Sequence, residues 1–226
     1  MQPPRESQTE YILREAKALF KNPAIMWAGG KDSTTLLFIT KRLFGSVPFP
    51  VIFLDTGYKF RETYQFIEKL EKAWGLTLIR ARNMEAVRQA TAPDTVGRFQ
   101  CCTLLKTDAL KQTILKHKFD AVLVSIRWDE QGVRGKEAHF SWREDPPHMR
   151  IHPLLDWSID DIWAYIQEHN IPHNPLYDLE VQGKKYRSIG CYPCTQPVEK
   201  ERKEERAGRA QDKEEIMEQL RALGYM

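Results

Sequence analysis

The chain has 226 residues, of which 29% are charged, and its formal net charge at pH 7 is +3. This length suits one α/β domain with appendages and allows a substantial core without disulfides. A charge so close to balance excludes a wholly basic protein that coats nucleic acid and an acidic solvating chain, so any anion site must be local. No stretch approaches ~20 uninterrupted apolar residues, and the first residues lack the layout of a secretory signal. We therefore expect no membrane contact and a cytoplasmic location.

Short apolar runs alternate with amphipathic stretches along the chain. Strands are predicted at residues 23–28, 50–54, 76–79 and 121–126. Crossover helices with apolar residues at helical spacing are predicted at 33–43, 61–74 and 103–117. Ser158, followed three residues later by Asp161, is close to a capping box and predicts a further helix. Continuous apolar strands between helices are typical of a mostly parallel sheet covered on both faces.

The charge pattern suggests how the chain is divided. Residues 199–206 are almost wholly charged, which is typical of a solvated helix or loop rather than of a functional patch. We expect an N-terminal helix in residues 1–22, one main domain in residues 23–197 and a peripheral charged tail in residues 198–226.

Two glycines lie between the first predicted strand and the first predicted helix, in the sequence Trp27-Ala-Gly-Gly-Lys-Asp-Ser-Thr-Thr. Gly29 and Gly30 allow backbone conformations closed to other residues and let amides approach an oxyanion, and the helix N-terminus adds partial positive charge. Lys31 adds a point charge and Ser33 a hydroxyl donor. The spacing is neither a Walker A motif nor a dinucleotide-binding motif. It predicts a phosphate-binding loop of another kind.

The loop resembles the Ser-Gly-Gly-x-Asp-Ser signature of the PP-loop ATP pyrophosphatases. The resemblance implies that ATP binds here and that pyrophosphate leaves when an acceptor attacks the α-phosphate. The motif positions are occupied by Gly29, Gly30, Lys31, Asp32 and Ser33, and Ala28 stands where serine is usual. That replacement removes one hydroxyl donor, so we expect a weakened phosphate contact with the chemistry retained.

Two further segments extend the resemblance. Asp55 and Gly57 end the second predicted strand in a stretch similar to one shared by phosphoadenylyl-sulfate reductases and the small subunit of bacterial sulfate adenylyltransferase. Ligands of open α/β sheets bind at that edge, so both residues are expected to help bind nucleotide. Arg127, Arg134 and Lys136 follow the fourth strand in a segment similar to one in the same subunit, and we expect them to cradle a sulfate or phosphate.

Segments 153–163, 174–177 and 187–195 are characteristic of the same superfamily, and the C-terminal residues from Arg206 resemble the end of the adenylyltransferase subunit. The resemblance covers most of residues 23–226. It implies a single adenine-nucleotide α-hydrolase-like (Rossmann-like) α/β domain. It also makes Lys31, Arg127 and Lys136 the candidate catalytic residues, and Arg134 a candidate nucleotide contact.

Four cysteines form two pairs, the adjacent Cys101 and Cys102 and the closely spaced Cys191 and Cys194. Four thiolates suit zinc or an iron–sulfur cluster, while a Cys-x-x-Cys alone also suits a redox pair. The layout resembles the [4Fe–4S] ligand set of adenylyl-sulfate reductases. No cysteine follows Cys194, so reduction by the C-terminal thiol of those reductases is disfavoured.

The sequence therefore predicts an enzyme that adenylylates an oxyanion such as sulfate, with ATP and Mg²⁺ and with a [4Fe–4S] cluster nearby. Three alternatives stay open: cluster-assisted, ATP-dependent sulfur insertion into a nucleic acid or small molecule, an adenylyl-sulfate or phosphoadenylyl-sulfate reductase, and a nucleotide-binding regulatory subunit without turnover. The resemblance implies a GTPase partner subunit, a sulfur-donor protein is the other candidate partner, and we expect a homo-oligomer.

Overall fold

The computed structural model describes residues 4–130, 132–202 and 204–223. Ten α-helices are present in these ranges: α1 Pro4–Leu19, α2 Lys31–Phe44, α3 Arg61–Trp74, α4 Met84–Arg88, α5 Pro93–Val96, α6 Arg98–Cys102, α7 Ala109–His117, α8 Ile159–Glu168, α9 Gln211–Glu215 and α10 Met217–Ala222. The strands are β1 Pro23–Met26, β2 Val51–Leu54, β3 Leu78–Ala81, β4 Ala121–Leu123, β5 Phe140–Glu144, β6 Pro147–Ile151, β7 Glu180–Val181 and β8 Lys184–Lys185. None of the helices described is long and apolar enough to cross a membrane.

Six strands form the central sheet, in the order β3-β2-β1-β4-β6-β5. All neighbouring pairs are parallel except the hairpin of β5 and β6, which is antiparallel. This arrangement confirms the predicted α/β domain with a mostly parallel sheet. The β5–β6 hairpin was not predicted, because β5 alternates half-buried with exposed residues at the edge and β6 buries His148 and Arg150 where an apolar residue is usual.

Hydrophobic side chains cover both faces of the sheet. Ile25 and Phe53 point to the larger core, which α1, α2, α3 and α8 complete. Ala24 and Ile52, one position away on the same strands, point to the smaller core under α7. Because both faces of the sheet are covered, successive residues of these strands are buried, which explains why the strands are continuous apolar runs. Full burial of an Ile or Phe side chain contributes roughly 1.5–3 kcal/mol to stability.

The predicted helix at residues 103–117 is interrupted in the structure. Thr103–Asp108 forms a π-helix, and the regular helix α7 begins only at Ala109. Single π-turns often accompany functional sites. This one directly follows Cys102 and contains Lys106, and both residues line cavities described below. At the start of α8 the capping box is present: the amide of Asp161 donates to Ser158 Oγ at 3.2 Å, and the amide of Ser158 donates to Asp161 at 2.7 Å.

The C-terminal segment packs against the domain instead of lying apart from it as a solvated tail. The amide of Gln196 donates to the carbonyl of Gly208 at 2.8 Å, and Thr195 pairs with Arg209 as an isolated bridge. Met217 and Leu220 of α10 are buried against Cys102. These long-range contacts bring charged residues of the segment to the main domain.

Candidate functional site

The loop between β1 and α2 turns at Gly29. This residue has φ +73°, and a Cβ placed there would lie 3.1 Å from Cγ2 of Thr63. Gly30, in contrast, has φ −87° and would place a Cβ in ordinary contact with the Tyr177 hydroxyl. Of the two glycines, only Gly29 needs the conformational freedom that the sequence suggested for both.

Residues from the far end of the domain hold the loop in place. Asn174 donates from Nδ2 to the carbonyl oxygen of Gly29 at 3.2 Å and to Thr63 Oγ1 at 3.0 Å. The amide of Lys31 donates to the hydroxyl oxygen of Tyr177 at 3.2 Å. These bonds fix the direction in which the loop enters α2.

The first turn of α2 is arranged to receive an anion. Gly30 is the N-cap and offers no side chain to the first amides of the helix. The hydroxyls of Ser33 and Thr34 donate to the carbonyl of Gly30 at 3.1 and 2.9 Å. Amides at a helix N-terminus together with its partial positive charge favour phosphate and similar ions.

Two buried cations lie behind the loop. Lys31 is 1% exposed and Arg127 is fully buried. Both are ion-paired with Asp32 and with Glu205 of the C-terminal segment, and Arg127 also pairs with Asp129 at 2.9 Å. Although burial alone would lower the pKa of Arg127, the neighbouring carboxylates of Glu205, Glu130 and Asp129 raise it above its ordinary value. The site therefore keeps Arg127 charged.

A cavity of about 220 Å³ opens in front of these groups. Its apolar wall, which includes Leu54, Leu110 and Ile126, suits a flat ring such as a nucleobase. Its charged lining comprises Lys31, Asp32, Lys59, Lys106, Glu130, Arg134, Glu205, Arg206 and Arg209. A larger groove of about 570 Å³ beside α3 contains none of the loop residues, so loop geometry and charge select the smaller cavity.

Several residues singled out from the sequence meet at this cavity. They are Ala28, Gly30, Lys31, Asp32, Ser33 and Arg134. Gly29 lies in the same loop, where its carbonyl oxygen accepts the bond from Asn174. Arg127 lies behind the cavity and reaches it through Asp32 and Glu205, the two of its three carboxylate partners that line the cavity.

Three other residues singled out from the sequence do not line this cavity. The carboxylate of Asp55 is committed to Tyr64, to the amide of Gly57 and to Arg82, at 2.7, 3.1 and 2.8 Å. Burial would raise the pKa of Asp55, but these partners lower it below its ordinary value. Lys136 is largely exposed and pairs with Glu218. Asp55 and Gly57 thus form a turn beside the site, and Lys136 contacts the C-terminal helix.

The main group that the sequence did not indicate is the set contributed by the C-terminal segment. Glu205, Arg206 and Arg209 line the cavity, although their charged surroundings suggested a solvated stretch. Gly190 lets the guanidinium of Arg209 lie against the backbone, where a Cβ would collide with it. The Arg206-Ala-Gly-Arg209 resemblance was the one signal that could have placed this segment at the site.

The four cysteines also meet, in a separate small cavity. Cys101, Cys102, Cys191 and Cys194 are all buried, and they line it together with Thr56 and Lys106. Thr56 Oγ1 lies 3.3 Å from Cys191 Sγ, and Arg98 donates to Cys194 Sγ at 3.4 Å. Burial and the neighbouring thiols raise the pKa of Cys101 to about 12.

Four thiols from two distant segments, with Arg98 and Lys106 beside them, suit the sulfur ligation of an iron–sulfur cluster and its negative charge. Within the described ranges, however, no group of three or more Cys, His, Asp or Glu residues is placed to hold a metal ion. The predicted cluster is therefore not shown.

Comparison with known proteins agrees with this geometry. Residues 22–197 match the phosphoadenosine phosphosulfate reductase domain. Sulfate adenylyltransferase subunit 2 of Shewanella frigidimarina is 32% identical, over 97% of this chain and 96% of that protein. The corresponding subunit of Shigella dysenteriae is 33% identical, over 86% of this chain and 82% of that protein.

Solved structures share the fold. A phosphoadenylyl-sulfate reductase from Candida auris superposes with a TM-score of 0.67 at 24% identity, covering 84% of this chain and 90% of that one. An FMN adenylyltransferase from Candida glabrata with FMN and an ATP analogue gives 0.66 at 19% identity, covering 85% and 63%. On the match over residues 22–197, the chain belongs to the phosphoadenosine phosphosulfate reductase domain family, and its relatives include sulfate adenylyltransferase subunit 2.

Proposed function

We propose that the chain is a PP-loop adenylyltransferase that binds ATP, transfers its adenylyl group to sulfate or a related oxyanion, and releases pyrophosphate. The observation that carries the proposal is the start of α2, where the N-cap Gly30 offers no side chain, beside the buried Lys31 and at the opening of a cavity with an apolar wall. The names of relatives aligned over nearly the whole chain support the same reaction.

In the proposed reaction an oxygen of sulfate attacks the α-phosphorus of ATP. The bond from that phosphorus to the bridging oxygen breaks, and its electron pair leaves with pyrophosphate. The amides at the start of α2 and the ammonium of Lys31 would stabilise the charge on the leaving group. Sulfate is already an anion, so no residue is needed as a general base.

The chain offers ligands for Mg²⁺ and a cation for the acceptor. Asp32 supplies a carboxylate at the cavity, and Mg²⁺ typically uses one or two carboxylates plus substrate phosphates. Arg134, which lines the cavity and pairs with Glu130 at 3.3 Å, is the proposed contact of the acceptor. Arg127 is a positioning residue, because it reaches the site through Asp32 and Glu205.

We also propose that Cys101, Cys102, Cys191 and Cys194 hold a [4Fe–4S] cluster. The proposal rests on the convergence of the four buried thiols on one cavity and on the cations beside them. A bound cluster would supply a redox-active charged group. Such a group favours ATP-dependent sulfur insertion into a nucleic acid or small molecule as the second candidate function, and adenylyl-sulfate or phosphoadenylyl-sulfate reduction as the third.

The names of the relatives also bear on the proposed partner proteins. Their name, subunit 2, supports a partner subunit, for which we propose a GTPase, with a sulfur-donor protein as the partner under the second function. We further propose a cytoplasmic homo-oligomer.

The reverse reaction tests the first function most simply, because formation of the phosphate–sulfate anhydride is uphill and its cleavage by pyrophosphate is downhill. Purified chain, alone and with candidate partner, is mixed with adenylyl sulfate, Mg²⁺ and pyrophosphate, and ATP is recorded by luminescence. We expect ATP to form only when both adenylyl sulfate and pyrophosphate are present. Formation of sulfite with an added thiol, and no ATP, would instead support the reductase.

A further inference from the structure

Glu205 bridges the two buried cations of the loop site. One carboxylate oxygen contacts the ammonium of Lys31 and the other contacts the guanidinium of Arg127. The side chain is 11% exposed, so these contacts are largely shielded from solvent. Two negatively charged oxygens, each bonded to a different cation, are also what a nucleotide phosphate presents to such a pair.

The charges at the site show why this contact matters for binding. Lys31 and Arg127 supply two positive charges, and Asp32, Asp129 and Glu205 supply three negative ones. An incoming polyphosphate therefore meets cations that are already neutralised. Burial would raise the pKa of Glu205, but Lys31 and Arg127 lower it below its ordinary value, so the carboxylate stays ionised near neutral pH.

Glu205 also differs from Asp32 in how it is attached to the fold. Asp32 lies in the first turn of α2, whereas Glu205 lies in the connection between two backbone pairings, Lys185 with Val198 and Thr195 with Arg209. A residue in such a connection can move without breaking the sheet or a helix. Of the two carboxylates that pair with both cations, Glu205 is therefore the one that can move away from them.

We propose that Glu205 is a built-in competitor for the phosphate site, which occupies the Lys31–Arg127 pair in the free protein and is displaced by the β- and γ-phosphates of ATP. The ligand named here rests on the proposed function. The competitor lowers the affinity for polyphosphate and links nucleotide binding to the position of the C-terminal segment. Because Arg206 follows directly and lines the same cavity, displacement of Glu205 also changes the cations that face the acceptor.

The test compares Glu205→Gln with the wild-type chain in the binding of inorganic pyrophosphate and of α,β-methylene ATP with Mg²⁺, by calorimetry at fixed salt. The amide has the same shape without the charge, so we expect both ligands to bind at least about tenfold more tightly. The matched control is Glu204→Gln, which removes an exposed charge one residue away and should leave both affinities unchanged.

Thermal unfolding supplies a second measurement that does not depend on activity. Glu205→Gln leaves the buried Lys31 and Arg127 less neutralised, so the free variant should melt at a lower temperature than the wild-type chain. Saturating pyrophosphate should then raise its melting temperature by more than it raises that of the wild type. Unchanged or weaker binding by Glu205→Gln, with normal binding by the wild type, would overturn this inference alone. Failure of the wild type to bind either ligand would overturn the proposed function as well.

Discussion

Gly29 is the loop residue whose backbone requires glycine, because it combines φ +73° with a Cβ position 3.1 Å from Thr63. Gly29→Ala should raise the dissociation constant for ATP at least about fivefold, since relieving roughly 1 kcal/mol or more of backbone strain must move the amides of the loop. Titration of a fluorescent ATP analogue measures the effect.

The control for this variant is Gly45→Ala, at the C-terminal end of the same helix. Gly45 also has a positive φ, of 78°, but a Cβ there meets nothing within 4 Å. Its replacement should lower the melting temperature without changing ATP affinity. Equal ATP affinity in both variants would contradict the assignment of the loop.

Arg134 lines the cavity, whereas Lys136 lies outside it, so the two residues test which cation contacts the acceptor. Arg134→Ala should raise the KM for the oxyanion at least about tenfold while changing the KM for ATP less than about twofold, because a charge aimed at the attacking group acts mainly on the acceptor. Lys136→Ala is the comparison, because its side chain is exposed and pairs with Glu218. Steady-state kinetics with both substrates varied distinguish them. A larger effect of Lys136→Ala would show that Lys136 reaches the acceptor.

At the scale of elements, local sequence predicted α2, α3, α8 and the four central strands, but not the short helices α4, α5 and α6. The helix at residues 61–74 was predicted with its observed bounds, since its apolar residues recur at helical spacing and Gly75 ends it in the left-handed conformation. The hairpin of β5 and β6 escaped prediction because buried polar contacts hold it. Arg150 donates to His148 at 2.8 Å, and such pairing depends on the fold rather than on a local pattern.

Glu137 links β5 to α10. It accepts bonds from Ser141 and Arg143 of β5 and is ion-paired with Arg221 of α10. Burial alone would raise its pKa, but Arg221 and Arg143 lower the pKa from 4.5 to about 2. Glu137→Gln should therefore lower the free energy of unfolding at pH 7 by about 2 kcal/mol, since it leaves the partly exposed guanidinium groups of Arg143 and Arg221 without their buried carboxylate partner.

The sign of the pH dependence follows from the lowered pKa of Glu137. Its contribution is complete above the unfolded value of 4.5 and is lost as the pH falls towards about 2. Urea unfolding of the variant and the wild type should therefore differ most near pH 7 and converge between about pH 4.5 and 2. A difference that stays constant over this window would contradict the assigned ion pairs.

The cysteine cavity joins α6 to the turn that contains Cys191 and Cys194. Anaerobically purified protein should be brown and contain about four irons per chain if the four thiolates hold one cluster. Cys191→Ser and Cys101→Ser should each remove the colour and most of the iron, because they act from opposite sides of one cavity. Iron analysis and the visible spectrum measure this. Colourless protein with one zinc per chain would exclude the cluster.

At the scale of the whole molecule, the contacts that the sequence could not predict join residues far apart in the chain. The α/β layout and the loop follow from neighbouring residues, and they were predicted. Glu205 meets Lys31 across 174 positions of the chain, and its charged neighbours alone are typical of a solvated loop. The C-terminal segment therefore became part of the site only when the fold showed what it packs against.

The central claim is that ATP is cleaved between its α- and β-phosphates at the loop between β1 and α2. The most direct measurement follows a radiolabel on the α-phosphate during incubation with Mg²⁺ and sulfate, with inorganic pyrophosphatase present to remove the product. We predict that the label appears in adenylyl sulfate or AMP, and that Gly29→Ala forms less of both when ATP is below saturation. Label that accumulates in ADP would contradict the account, because cleavage would then lie between the β- and γ-phosphates.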